Sequence, residues 1–376
     1  MKALPYGISD FPRVMREDYY YVDKTRFIEM LERQPPYLFL IRPRRFGKSL
    51  FLAMLEAYYS IDYADRFREL FGELYVGQHP TERHNRYMVL RFNFSEVSSK
   101  LETVEHSFSK YCCMVMKNFI LKYEHLLGGG IWEIVNPDET NPEQMLAALK
   151  EYVSRTDCPR IYLLIDEYDN FTNTILSSYG QERYREKTHG DGLIRGFFNN
   201  VKASTSNAGA AVERLFITGV SPITMDDVTS GFNIGTNIST LPQFNNIIGF
   251  SEDEVREMIT YYKDEDALPE NITVDGLVEI MKPWYDNYCF SEDRLEERMF
   301  NSDMALYFLN SYLQLGKTPK MMVDNNIRTD YGKLRHLVQI DKTFGANASV
   351  IQQIIAEGSI TAQIATSFPA EKMTDT

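Results

Sequence analysis

Four side chains in this sequence have the types and spacing to do chemistry together: Lys48, Ser49, Asp166 and Glu167. Phe46-Gly47-Lys48-Ser49 closes a loop between the apolar run Tyr37 to Ile41 and a segment whose apolar positions, Leu50, Phe51, Met54 and Leu55, fall at helical spacing. A lysine ammonium beside the unpaired N–H groups of a helix N-terminus grips polyphosphate, and a neighbouring hydroxyl suits Mg²⁺. A second apolar run, Ile161 to Ile165, ends in Asp166-Glu167. In that pairing Asp166 holds the water shell of Mg²⁺, and Glu167 orients or deprotonates an attacking water. The chemistry such a set supports is the binding of ATP with Mg²⁺ and transfer of its terminal phosphoryl group to water.

The strand, loop, Gly-Lys-Ser and helix order is the layout of a P-loop, or Walker A motif. It predicts nucleotide contacts from Arg44, Arg45, Phe46, Gly47, Lys48, Ser49 and Leu50, with Lys48 also catalytic and Ser49 also a metal ligand. Gly47 lets the backbone come close to phosphate. The full G-x-x-x-x-G-K-[ST] pattern requires glycine at position 42, where this chain has Arg42, a departure that bears on catalysis more than on binding. Arg42, Arg44 and Arg45 are expected to be solvated or to face phosphate. A basic turn with a solvated lysine would look the same over so few residues, but the Asp166-Glu167 run, a Walker B layout, argues against that reading. A further buried strand, Leu215 to Gly219, ends in Val220-Ser221-Pro222. Thr218 or Ser221 could turn a hydroxyl toward the terminal phosphate, and Ser221 is assigned there; a strand-end hydroxyl also serves as a plain turn former.

The elements that must position these groups can be read in chain order. Phe27, Met30 and Leu31 predict a helix, with Asp23 or Thr25 as N-cap and Pro35-Pro36 as its stop. Helical spacing continues over 50–75, a strand with alternating faces covers 87–94, and helices cover 101–127 and 141–154. Residues 172–191 are a polar insertion, followed by a helix over 192–204 and a short fifth strand at Asn246 to Phe250. Ser251-Glu252-Asp253-Glu254 has the capping-box pattern and opens a helix; more helices cover 273–283 and 302–315, and no strand is expected between Ser251 and Leu315. This predicts an α/β core over 1–250, a smaller helical lid over 251–315, and a C-terminal extension over 316–376 that reads as frayed or cut before a further domain.

With 376 residues, 44% hydrophobic and 25% charged, the composition is that of a globular protein with a sizeable core. A formal net charge of -13 argues against direct nucleic-acid binding. The four cysteines and six histidines lack metal-site spacing, and buried free thiols in a reducing, cytoplasmic location are expected. No apolar run approaches the roughly 20 residues of a membrane span.

Several blocks together carry a more specific likeness: YYYVDKTRFIEML, IRPRRFGKSLFLAML, LLIDEYD, and ITGVSPITMDDVTSGFNIGTNIS followed by GFSEDEV, with a weaker extension into KPWYDNYCFSE. In these the sequence resembles the AAA-ATPase-like family of bacterial P-loop proteins, whose members often carry a C-terminal nuclease-like domain. The resemblance implies an additional-strand P-loop NTPase, a three-layer sandwich with a mainly parallel sheet in which the 215–219 strand lies between the P-loop strand and the 161–165 strand. It also implies that arginines before Phe-Gly-Lys are usual, Arg42 included. No carboxylate and lysine constellation of a nuclease is found in 316–376, so that activity is not expected. Two functions follow: an Mg²⁺-dependent ATPase that switches a protein partner or downstream effector domain, or a nucleotide-holding interaction module without useful turnover.

Overall fold

The computed structural model of the protein describes residues 1–98, 100, 102–171, 174, 175, 193–203, 210–220, 235–324 and 356. The chain divides into two compact units, one formed by Met1–Val89 with Thr236–Ile327 and the other by Leu90–Gly235 with Arg328–Thr376. Both have α/β character.

The first unit opens with two short helices, α1 (Phe11–Arg16) and α2 (Phe27–Glu32). Asp10 caps α1 through the backbone N–H of Arg13, and Pro12 sits in the first turn, where its missing N–H costs nothing. The N-cap of α2 is Arg26, which offers no side-chain bond; Asp23 instead accepts from the backbone and hydroxyl of Thr25, forming a turn two residues earlier. Strand β1 (Tyr37–Ile41) buries Leu38, Phe39 and Leu40 in succession, as the apolar run predicts. The helical spacing after it becomes α3 (Lys48–Tyr59), which stops at Tyr59 because Ser60 leaves helical geometry and caps a 3-10 turn through Asp62. The helical spacing expected over 50–75 is thus divided into α3, a 3-10 helix over Ile61–Arg66 and a short helix over Phe67–Phe71, which buries Leu70 and Phe71.

In the second unit, β2 (Met88–Asn93) contributes its residues from Leu90 onward, and its alternation sends Phe92 to the core beside Phe94. Helix α4 (Val104–Lys122) and helix α5 (Pro142–Arg155) follow; Asn141 caps α5 by accepting from Glu143 and Gln144. Strand β3 (Ile161–Asp166) is buried along its whole length. Helix α6 (Leu193–Ala203) and strand β4 (Val212–Gly219) complete the described part of this unit. β3 and β4 are parallel, with Leu163 opposite Leu215 and Ile165 opposite Ile217. Burial on both faces is why these strands read as continuous apolar runs instead of alternating ones. A cluster of rings, Phe92, Phe94, Phe108, Phe171 and Phe197, fills the space between strands and helices, with centroid separations such as 5.4 Å for Phe94 and Phe108. Each fully buried ring of this kind contributes about 2 to 3 kcal/mol of transfer free energy.

The chain returns to the first unit as β5 (Thr236–Asn237), parallel to β1 through Leu38 opposite Thr236 and Phe39 opposite Asn237. A small antiparallel sheet then forms from β6 (Phe250–Ser251), β7 (Asp286–Tyr288) and β8 (Met299–Phe300), in the order β6-β8-β7. These strands correct the expectation of an all-helical stretch: at two or three residues each they are too short to show a period of two. Asn246 to Gly249 is not a strand either. Ile247 and Ile248 are buried, but the backbone turns, with Ile247 N–H donating to Phe244 O, and Gly249 takes φ +81°. Helices α7 (Glu252–Asp264), α8 (Val274–Tyr285) and α9 (Ser302–Leu315) pack around Met258, Ile259, Tyr262, Met281, Phe308 and Leu309. The capping box is formed as read: Ser251 accepts from Glu254 N–H, and the Glu254 carboxylate accepts from Ser251 N–H.

Candidate functional site

In the first unit the candidate phosphate loop grows directly out of the β1 ladder. Ile238 N–H donates to Phe39 O, and Ile41 N–H then turns to the Ser239 hydroxyl at 2.8 Å, ending the strand. The next residue, Arg42, is neither solvated nor aimed at a phosphate. Its side chain is 1% exposed and donates to the carbonyls of Ile41, Ser239 and Phe244, with the guanidinium 4.0 Å from the centre of the Phe290 ring. Burial pulls its pKa down to about 9, which still leaves it protonated at neutral pH. Where a P-loop usually has glycine, this chain has a buried cation tying the strand end to residues 239–244 and 290.

Lys48 is the first residue of α3, and Gly47 before it takes φ +90°, a left-handed conformation that glycine adopts without penalty. Gly47 has no side chain with which to cap α3. The Lys48 ammonium donates to Arg42 O at 3.0 Å and Pro43 O at 2.9 Å, and the side chain is buried. An exposed lysine with no structural part is therefore not what the fold contains: Lys48 stitches the loop to the helix. Ser49 and Leu50 are half-buried in the same first turn.

The other loop residues have distinct tasks. Arg44 is exposed at its side chain, and its carbonyl accepts from Asn301 Nδ2 at 3.3 Å. Arg45 takes φ +65° and pairs with Asp303 at 2.8 Å, with Asp324 farther away at 3.6 Å. Phe46 is buried edge-on against Tyr288 and Phe290, with centroids 4.7 and 5.3 Å away, so any part it plays toward a ligand falls to its backbone. Upstream, the Lys24 ammonium lies between the two Glu254 oxygens at 2.6 and 2.7 Å and bonds to Asn246 O. Burial lowers the Lys24 pKa, and the charge of Glu254 opposes that shift. Thr25 accepts from Val76 N–H. This segment is spent on holding the fold together.

In the second unit, Asp166 ends β3 fully buried, and its Oδ1 accepts from the Thr218 hydroxyl at 2.6 Å. Arg91 Nη2 lies 4.0 Å from Oδ2 of the same carboxylate. Glu167 follows with φ +51°, a strained conformation for a residue other than glycine, and is half-buried. The turn is pinned beyond it: Tyr168 N–H donates to Thr218 O, and both oxygens of Asp169 accept from Val220 N–H at 3.1 Å. Gly219 is required here, because a Cβ at that position would meet the Tyr168 ring at 2.2 Å. Ser221 lies outside the described residues, as do the insertion over most of 172–191 and nearly all of 316–376 beyond Asp324.

Arg91, Asp169 and the 301–303 turn escaped the sequence reading. The alternation of 87–94 did set Arg91 on the face opposite Phe92, and Asp169 is the last letter of LLIDEYD, but neither signal assigns a partner. Among the described residues no group of three or more His, Cys, Asp or Glu side chains is gathered around a metal position, and no helix is long and apolar enough to cross a membrane.

The family described as predicted AAA-ATPase matches residues 5–229. A relative from Azotobacter chroococcum mcd 1, bearing the description "Uncharacterized protein in vnfD 5'region", is 27% identical over 339 residues, which cover 86% of this chain and 56% of the relative. The chain thus spans little more than half the length of that relative. With more than half of its residues matched, including the loop to Ser49 and the turn at Asp166-Glu167, the chain belongs to the AAA-ATPase-like family, the predicted AAA-ATPases.

Proposed function

We propose that this chain binds ATP as its Mg²⁺ complex, hydrolyses it, and acts as a switch for a protein partner or an effector domain. The observation that carries the reading is the Lys48 ammonium held by the carbonyls of Arg42 and Pro43, at the start of a helix whose N-cap is a left-handed glycine. Those two carbonyls are weak partners for an ammonium compared with phosphate oxygens, so the lysine is already held at the loop and can exchange them for a polyphosphate. Ser49 and Asp166 supply the hard oxygen donors that Mg²⁺ prefers, and Mg²⁺ in phosphoryl-transfer sites takes only one or two protein ligands beside water and phosphate. In this reading Glu167 accepts the proton of the attacking water as its oxygen bonds to the terminal phosphorus and ADP leaves with the bridging oxygen. Ser221 and the backbone of residues 44–50 complete the contacts to nucleotide. Residues 1–250 form the ATPase core, the helical part over 251–315 responds to nucleotide, and no direct contact with nucleic acid is required. A cytoplasmic setting suits this use.

A second reading, nucleotide held without useful turnover, is favoured by Arg91, since a guanidinium 4.0 Å from Asp166 competes with a metal for that carboxylate. Two measurements test these readings: calorimetric titration of ATP with Mg²⁺, and phosphate release from purified protein against a Lys48→Ala control. Binding with release above the control supports the ATPase; binding without release supports the holding module; absence of binding refutes both.

A further inference from the structure

Every carbonyl from Arg42 to Gly47 has a named donor. Arg42 O and Pro43 O take the Lys48 ammonium, Phe46 O takes Gly249 N–H at 3.1 Å, and Gly47 O takes Phe51 N–H within α3. The middle two are held by the N-terminus of α9. Arg44 O accepts from Asn301 Nδ2, and Arg45 O accepts from both the Ser302 hydroxyl and the Asp303 N–H, each at 3.3 Å. The Asp303 carboxylate closes the contact by pairing with the Arg45 guanidinium at 2.8 Å. In a planar trans peptide the C=O of one residue and the N–H of the next point in opposite directions. Turning the carbonyls of residues 44, 45 and 46 toward α9 and Gly249 therefore turns the N–H groups of residues 45, 46 and 47 the other way. Those are successive amides of the loop, and Arg45 must accept a left-handed φ of +65° to present them.

We propose that Asn301, Ser302 and Asp303 are positioning residues for the phosphate loop: the N-terminus of α9 holds the loop carbonyls so that its amides are set for an anion before any anion arrives. The inference rests on the reading of residues 42–49 as a phosphate loop. It adds that the loop's shape is set by a helix more than 250 residues away in sequence, through contacts such as the one between Asn301 and Arg44. The turn is itself anchored, because Asn301 N–H donates to Tyr285 O at the end of α8 and Asn301 Oδ1 caps α9 through Met304 N–H. Preset amides avoid the cost of ordering the loop when ligand binds.

Asn301→Asp separates positioning from simple support of the helix. An aspartate still accepts from Met304 N–H and caps α9 as well as asparagine does. It loses the donor to Arg44 O and sets a carboxylate oxygen against that carbonyl. The expected result is a melting temperature within about 2 °C of the unaltered protein, with affinity for ATP and Mg²⁺ weakened about tenfold, the scale of one lost polar contact with added repulsion. Hydrogen exchange read by mass spectrometry should show faster exchange over residues 44–47 and unchanged exchange along α9. Unchanged affinity and unchanged loop exchange in a folded Asn301→Asp protein would overturn the proposal. If that variant does not fold, Ser302→Ala, which removes one hydroxyl donor to Arg45 O, takes its place with the same two readouts and a smaller expected loss. Failure of the unaltered protein to bind ATP refutes the phosphate-loop reading instead, and the exchange comparison alone then decides whether α9 sets the loop.

Discussion

The hydroxyl of Thr218 donates to the carboxylate of Asp166 across 2.6 Å, and both side chains are 0% exposed. From its place at the end of β4 the Thr218 hydroxyl could face a terminal phosphate, yet its proton is directed to the carboxylate that ends the neighbouring strand. A buried carboxylate needs such donors, since leaving one unsatisfied exposes the full cost of taking charge out of water. Parallel pairing of β3 with β4 brings the two strand ends together, so the contact follows from register.

Thr218→Val keeps the shape and the β-branch while deleting the donor. The expected loss is about 2 kcal/mol, the range for a hydrogen bond to a charged group. Urea denaturation at neutral pH measures it, and an unshifted midpoint with the same slope would show that the bond adds nothing.

Arg42→Gly would restore the textual P-loop pattern and should nonetheless harm the protein. It strands the carbonyls of Ser239 and Phe244, vacates a side chain that is 1% exposed, and removes the cation from the Phe290 ring. Together these cost about 3 kcal/mol or more. Arg44→Gly, with an exposed side chain, should fall within about 1 kcal/mol of the unaltered protein. A variant Arg42→Gly that denatures at the original midpoint would remove Arg42 from the fold's support.

These two arginines show what the sequence could and could not disclose. Both sit in one basic loop, and their types alone suggest solvent or phosphate for each. What separates them is the return of the chain at 239–244 and 290, and a contact between residues so far apart leaves no local signature. The strands fared better because burial on both faces is written into adjacent positions: β1, β3 and β4 could be read from their apolar runs, and the Ser251 capping box from four residues. The two-residue strands β6 and β8 could not, since their pairing depends on a partner about 50 positions away and their length holds no period. Likewise the sequence supplied Lys48 and Asp166 as chemical types, while the carbonyls that accept from Lys48 and the hydroxyl that donates to Asp166 came only with the folded structure.

Asp286 predicts a pH effect. It is 8% exposed at the start of β7, and its Oδ1 is buried with no hydrogen-bond partner among the described residues. Burial raises its pKa above the ordinary 3.8, against the pull of Arg298. The folded protein then holds this proton more tightly than the unfolded chain, so the contribution to stability is present at low pH and is lost as pH rises through the folded-state pKa. Asp286→Asn should be more stable than the unaltered protein at pH 7, and the difference should shrink toward pH 4. Denaturant midpoints across that interval test the sign; a difference that grows toward pH 4 would contradict it.

Glu167 decides between turnover and simple holding of nucleotide. Its φ of +51° is a conformation that glycine takes freely and glutamate does not, so a purely structural demand at this position would be better met by glycine. Glu167→Gly should therefore stabilise the protein by up to about 1 kcal/mol, relief that the native side chain forgoes. Glu167→Gln keeps size and hydrogen-bonding reach but cannot take a proton. If Glu167 deprotonates the attacking water, Glu167→Gln binds ATP with Mg²⁺ as the unaltered protein does while single-turnover hydrolysis falls about 10²-fold or more. Bound ATP then persists, and the melting temperature of the variant rises with ATP and Mg²⁺ in excess, because a ligand that binds only the folded state stabilises it. If Glu167 serves structure alone, hydrolysis is the same in both proteins and only the melting curve without nucleotide moves. Equal rates would take Glu167 out of the mechanism, and no measurable rate in either protein, with ATP bound, would establish the holding module.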